Sequence, residues 1–225
     1  MCTLGVVTIG QSPRVDLVPE MREVLGPDVR IVESGALDGL SLEEVSRLVP
    51  GAEDYVLVTR MRDGTPVKIA KRRIVQLMQQ RITDAVAAGA ELVALLCTGA
   101  FPEFECTKPL VLPDQVLGHM VRSVAGKMLV GVVVPDVAQV EQCRVRWQHT
   151  GREVHVTYAS PYEDTSRLAE AAHELKSVGA ELVVLDCMGY DFAAKRLFRE
   201  VLGVPCILAR SALSRVLREM LLPGA

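Results

Sequence analysis

The chain has 225 residues, 49% hydrophobic, 4% aromatic and 24% charged, and its 25 basic against 28 acidic residues leave a formal net charge of -3. That length holds one large core or two modest ones, and a near balance of charge with few aromatic rings argues against a nucleic-acid partner, which needs a basic face or stacking platforms. No run approaches the ~20 apolar residues that span a bilayer, and the opening Met1-Cys2-Thr3-Leu4-Gly5 lacks the basic start of a signal peptide. A cytoplasmic protein without membrane contact is therefore expected, its cysteines reduced.

Leu4-Gly5-Val6-Val7-Thr8-Ile9 reads as a buried strand that breaks at Gly10. Gln11-Ser12-Pro13-Arg14 then offers Ser12 as a helix N-cap and Pro13 at the first helical position, ahead of an apolar stripe at Val15, Val18, Met21 and Val24-Leu25. A Gly turn that enters a capped helix aims N–H groups at the strand edge, so Gly10, Gln11 and Ser12 form a candidate grip for a carboxylate or phosphate. The further glycines of a Walker or dinucleotide loop are missing. Val29 to Glu33 is expected as a second strand, and Ser41-Leu42-Glu43-Glu44 as the capping box of a short helix that Pro50-Gly51 stops. Tyr55 to Thr59 is a third strand, with Arg60 at its carboxyl end and a tight turn at Asp63-Gly64. Ile74, Met78, Ile82, Ala85 and Val86 mark one face of a long helix.

Pro102, Pro109 and Pro113, between Ala100 and Gln115, mark the crossing from one lobe to the next. Met128 to Pro135 is another buried strand, matching the pattern of Gly5 to Gly10. A helix near Ala138 to Trp147 and a strand at Glu153 to Tyr158 follow. Ala159-Ser160-Pro161-Tyr162 then takes the place before its helix that Thr59-Arg60 takes in the first lobe. Leu168, Ala171, Ala172, Leu175 and Val178 stripe the next helix. A helix from about Phe192 to Leu202, a strand at Pro205 to Leu208 and a terminal helix with Leu213, Val216, Leu217 and Met220 complete the order.

One stretch occurs twice. Val86-Ala87-Ala88-Gly89-Ala90-Glu91-Leu92-Val93-Ala94-Leu95-Leu96-Cys97-Thr98-Gly99 returns as Lys176-Ser177-Val178-Gly179-Ala180-Glu181-Leu182-Val183-Val184-Leu185-Asp186-Cys187-Met188-Gly189, with Gly89, Glu91 and Cys97 each 90 positions before their counterparts. Each copy predicts a helix end, a Gly stop, a buried parallel strand and a cysteine at a Gly turn. Ligands bind at that carboxyl edge of open α/β sheets. Cys97 and Cys187 thus become the candidate catalytic pair, since a thiol at such a turn gains access and thiolate stabilisation. Cys2, Cys106, Cys143 and Cys206 read as small core hydrophobes. Two thiols on opposite sides of a carbon could exchange its α-proton, one removing and the other returning it. N–H donors at Gly10 to Ser12 and at Thr98-Gly99 would stabilise the charge left on the carboxylate. No metal or cofactor is needed, and neither the cysteines nor His119, His149, His155 and His173 show zinc-ligand spacing.

At these residues the chain resembles the AroM family, within the Asp/Glu/hydantoin racemase superfamily. The resemblance rests on Thr8-Ile9-Gly10-Gln11-Ser12-Pro13-Arg14, Val58-Thr59-Arg60, Leu96-Cys97-Thr98-Gly99, Ser160-Pro161-Tyr162 and Asp186-Cys187-Met188-Gly189-Tyr190. It implies two α/β lobes with a substrate cleft between them, independence from pyridoxal phosphate, the two cysteines as acid and base, and the turn after the first strand as carboxylate grip. Met188 departs from the superfamily, where Thr usually follows the second cysteine. The superfamily also holds decarboxylases and cis-trans isomerases.

The resulting expectation is an α/β protein of two pseudo-symmetric lobes, each a mainly parallel sheet flanked by helices. Lobe one takes residues 1–115 and about 205–225, and lobe two 116–204. The expected activity is a cofactor-independent racemase or isomerase acting on a small carboxylate. Cys97 and Cys187 are catalytic, and Gly10, Gln11, Ser12, Arg60, Thr98, Gly99, Tyr162, Gly189 and Tyr190 bind substrate. The alternatives are a non-catalytic binder of small anions, or a decarboxylase or cis-trans isomerase on the same fold. Homo-oligomer formation is left open.

Overall fold

A computed structural model describes residues 2–150, 152–163 and 166–223. The chain divides into two compact units, one running to Pro113 and resuming at Ser214, the other Asp114–Leu213.

Lobe one runs β1 (Cys2–Thr8), α1 (Val18–Leu25), β2 (Val29–Gly35), α2 (Leu42–Ser46), β3 (Val56–Arg60), β4 (Pro66–Ala70), α3 (Lys71–Ala87), β5 (Leu92–Leu95) and β6 (Leu110–Val111). Its main sheet has the order β2-β1-β5-β6, all parallel. β1 and β5 run through the interior, and their apolar residues leave no alternation to read, as expected of strands covered on both faces. The expected capping box is present: Ser41 accepts from the Glu44 N–H, and the Glu44 carboxylate accepts from the Ser41 N–H. The Asp63-Gly64 turn joins β3 to β4, an antiparallel hairpin that forms its own two-stranded sheet.

Lobe two runs α4 (Pro113–Val124), β7 (Val130–Val134), a 3-10 turn at Val137–Gln139, α5 (Val140–Gln148), β8 (Val154–Tyr158), α6 (Ser166–Ser177), β9 (Leu182–Leu185), α7 (Phe192–Leu202), β10 (Cys206–Leu208) and α8 (Ala209–Leu221). Its sheet has the order β10-β9-β7-β8, again all parallel.

The duplication extends to individual hydrogen bonds. In lobe one Leu96 N–H donates to the Val7 carbonyl and Glu91 N–H to that of Thr3; in lobe two Asp186 donates to Val133 and Glu181 to Leu129. Gly5 and Gly131 hold equivalent places in the central strands, paired with Val93 and Val183 respectively. Both are glycine for want of room. A Cβ on Gly5 would stand 2.9 Å from Ala85 Cβ, and one on Gly131 2.8 Å from Leu175 Cδ1, on the helix face packed over each strand.

Four expectations are corrected. Ser12 is not an N-cap and Pro13 does not begin a helix: Ser12 spends its N–H and hydroxyl on the Asp38 carboxylate, and α1 starts at Val18 with Pro19 in its first turn. Residues 205–213 belong with lobe two, because β10 is hydrogen-bonded to β9, and the return to lobe one comes only at Ser214. The change of lobe falls at Pro113, since β6 still pairs with β5. Residues 1, 224 and 225 of the expected lobe one lie outside the described residues. Finally, Ala159 to Tyr162 corresponds to the end of β2 rather than to Thr59-Arg60: Ala159 N–H bonds back to Val134 as Ala36 does to Thr8.

Candidate functional site

The two cysteine turns are built alike. Each strand of the repeat ends two residues before its cysteine, and the N–H two residues beyond the cysteine donates to the sulfur: Gly99 N–H to Cys97 Sγ at 3.4 Å, Gly189 N–H to Cys187 Sγ at 3.3 Å. An N–H donor aimed at sulfur favours the thiolate. Cys97 is half-buried, and Cys187 is 8% exposed. All six cysteines are free thiols.

In lobe one the strand edge around Cys97 is a closed polar lattice. Gly10 N–H donates to Thr8 Oγ1, Gln11 N–H to the Arg60 carbonyl, Ser12 N–H to Asp38 and Arg14 N–H to Glu33. The backbone donors expected to grip a carboxylate are thus engaged within the fold. The Gln11 side chain is equally committed, donating to the Leu37 and Leu40 carbonyls and accepting from Arg62 N–H. Gly10 cannot be larger, because a Cβ there would stand 2.4 Å from Thr59 Oγ1 and 2.5 Å from the Arg60 oxygen. Arg60 Nε donates to the Gly64 carbonyl across the hairpin turn. Thr98 is buried beside Cys97.

Arg14, only 4% exposed, forks onto the Asp16 carboxylate and donates to Thr8 Oγ1. Burial works to raise the Asp16 carboxyl. The hydrogen bond and charge of Arg14, with a backbone bond and the charge of Arg60, nevertheless hold it below its ordinary value.

In lobe two the turn at Cys187 is packed by two tyrosines and braced by a buried guanidinium. Tyr190 is 1% exposed and its hydroxyl donates to the Ala159 carbonyl at 2.6 Å. Burial first, then the charges of Cys187 and Asp186, push that phenol well above its ordinary value. Tyr162 lies against Gly189, where a Cβ would stand 2.5 Å from the phenol oxygen. The guanidinium of Arg210 donates to the Met188 and Gly189 carbonyls. Asp186, whose lobe-one counterpart is Leu96, turns its fully buried carboxylate to Arg146 and to Trp147 Nε1. Burial, reinforced by the Asp186 charge, pushes the neighbouring Cys143 thiol up.

The structure therefore brings Gly10, Gln11, Ser12 and Arg60 together in lobe one, where Cys97, Thr98 and Gly99 form the cysteine turn, and Tyr162, Cys187, Gly189 and Tyr190 together in lobe two. Sequence reasoning missed Asp38, the Arg14–Asp16 pair, the Asp186–Arg146–Trp147 group and Arg210. Asp186 did carry a signal, as a lone charge just past a strand end where the first copy reads Leu95-Leu96-Cys97. Among the described residues no group of three or more His, Cys, Asp and Glu side chains could hold a metal ion, and no helix is long and apolar enough to cross a membrane.

No curated protein matches the chain. Solved structures do. Arylmalonate decarboxylase is similar over 99% of this chain and 93% of its own, at 16% identity and a TM-score of 0.62. Aspartate racemase from Picrophilus torridus is similar over 98% and 94%, at 11% identity and a TM-score of 0.62. Allantoin racemase from Klebsiella pneumoniae is similar over 98% and 87%, at 18% identity and a TM-score of 0.64. At such identities what is shared is the fold, the two-lobed α/β architecture of the Asp/Glu racemase-like proteins. The AroM protein profile matches residues 4–221, nearly the whole sequence, and the chain belongs to the AroM family.

Proposed function

We propose that the protein is a cofactor-independent racemase or isomerase of a small carboxylate-bearing compound, with Cys97 and Cys187 as its acid/base pair. The observation that carries the reading is the doubled turn: two thiols at equivalent strand ends, each with a glycine N–H on its sulfur. One cysteine, as thiolate, takes the proton from the carbon α to the carboxylate, and the C–H electron pair moves into the carboxylate. The other cysteine, as thiol, delivers its proton to the opposite face. The atoms balance without an oxidant, and the enzyme ends with its two protonation states exchanged.

The lobe-one lattice changes the expected division of labour. Gln11, Ser12 and the Gly10 turn hold the frame, and Tyr190 supports its turn from within the core. Substrate contact falls to Thr98, Arg60 and Tyr162, with Gly99 and Gly189 serving the sulfurs. The free state of all six cysteines supports a reducing, cytoplasmic setting.

A decarboxylase is the second reading, and the inequality of the turns favours it: Leu96 and Thr98 flank one cysteine, Asp186 and Met188 the other. There the C–C bond to a departing carboxylate breaks, its electrons pass into the remaining carboxylate, and a single thiol protonates the carbon. α-Proton exchange in deuterated water, run with wild type, Cys97→Ser and Cys187→Ser over a panel of amino acids, hydantoins and 2-substituted malonates, tests both. Racemase action gives exchange with inversion, and each serine variant abolishes the inversion. Carbon dioxide release with one deuteron incorporated, dependent on one cysteine alone, identifies a decarboxylase. Binding without either reaction leaves a small-anion-binding protein and overturns the proposal.

A further inference from the structure

We propose that Arg210 is a positioning residue for Cys187, acting through the peptide group between Met188 and Gly189 to hold that sulfur as thiolate. The inference rests on the reading of Cys187 as an acid/base group. Arg210 is 1% exposed. Its Nε and Nη2 donate to the Met188 carbonyl at 3.1 and 3.0 Å, and Nη2 reaches the Gly189 carbonyl at 3.1 Å. The Met188 carbonyl and the Gly189 N–H belong to one peptide group, and that N–H donates to Cys187 Sγ at 3.3 Å.

A guanidinium on the oxygen of an amide draws density from its nitrogen and makes the N–H a stronger donor, so bonds linked through one peptide reinforce each other. The relay ends on sulfur, which gains from it most as an anion. Burial of the cation keeps water and salt from screening the effect.

The other charged and titratable neighbours do not replace it. Asp186 adjoins Cys187 in sequence but directs its carboxylate to Arg146 and Trp147. Tyr190 is kept neutral by its burial, and Tyr162 contributes a phenol against Gly189. The Cys143 and Cys206 thiols are both pushed up by burial, the latter to about 12 against the pull of Lys195 and Arg199. Asp114 lies near Arg146 and Asp186, and burial raises its carboxyl against the pull of Arg146.

The test is a pH titration of protein labelled with 13C at cysteine Cβ, whose shifts report thiolate formation at each site without needing reagent access. In Arg210→Met the Cys187 midpoint should rise by about one pH unit or more above wild type, while the Cys97 midpoint stays in place, and Arg210→Lys should recover part of the shift. A folded Arg210→Met protein with an unmoved Cys187 midpoint overturns the relay. If Arg210→Met fails to fold, Arg210→Lys decides the matter, and an unmoved Cys187 midpoint in that variant overturns the relay as well. A Cys187 midpoint that depends on Arg210, with no α-proton exchange on any substrate, upholds the relay and defeats the enzymatic reading.

Discussion

The two lobes repeat the same four-stranded parallel sheet, the same helix packed over a central-strand glycine and the same glycine N–H on a cysteine sulfur. They differ in how the strand edge around that cysteine is stabilised. Lobe one inserts a hairpin and ties its loops with exposed or half-buried carboxylates and amides. Lobe two, among the described residues, has no such hairpin and buries a carboxylate, Asp186 with Arg146, on one side of its strand end and Arg210 on the other, where lobe one buries the Arg14 guanidinium. A frame can thus be copied while the chemistry hung on it diverges, because the strand pairing draws on backbone groups and the loops on side chains.

The largest effect should come from breaking the lobe-two ion pair. Arg146→Met leaves the Asp186 carboxylate buried and uncompensated, and should cost about 3–5 kcal/mol of stability in urea unfolding. Adding Asp186→Leu, which gives lobe two the residue that lobe one has at Leu96, should recover most of that loss. No recovery would mean that the pair organises the fold beyond balancing its own charge.

Next in size is the matched glycine pair. Gly5→Ala drives a methyl against Ala85 and Ala90, whose Cβ atoms move only with their backbone, and overpacking of that kind costs about 1–3 kcal/mol. Gly131→Ala meets the flexible end of Leu175, which can rotate away, and should cost less by the same thermal or urea melt. Equal losses would remove this distinction between the cores. Ser41→Ala, which deletes the capping box of α2, should cost about 1 kcal/mol.

The smallest effects are electrostatic and of opposite sign. The folded-state value of Asp16 lies below its ordinary 3.8, so its contribution to stability is present above that pH and is lost as pH falls through the folded value. Asp114 in lobe two is raised, chiefly by burial and in part by Asp186, against the pull of Arg146. Its stability contribution is therefore present below 3.8 and is lost as pH rises towards the folded value. At neutral pH Asp16→Asn should lower the melting temperature, and Asp114→Asn should raise it. Shifts of one sign would break the contrast.

The sequence made the duplication plain because the helix stop, the strand and the cysteine lie within fourteen consecutive positions of each copy and owe little to distant residues. Helix and strand order followed from the same local signals. The hairpin's second strand escaped notice because Pro66 to Ala70 runs without a break into α3. β6 is two residues long, and α4 begins at Pro113, in what reads as a proline-rich crossing. The site was half visible. The cysteines announce themselves by repetition, but the bonds that occupy Gln11 and Ser12 come from Asp38, Arg62 and the loop at Leu37 to Leu40, none of which a local pattern can assign. Arg210 stands 21 residues beyond Gly189, and only tertiary folding joins them.

The return of the chain at Ser214 has a consequence for biosynthesis. Arg218 donates to the Val24 carbonyl and Cys2 Sγ to that of Leu221, so the first sheet-bearing unit is sewn up by residues translated after the whole of the second. On the ribosome the continuous segment 114–213 can mature as soon as it emerges, whereas the earlier-made unit must wait, unfinished, for its last stitch.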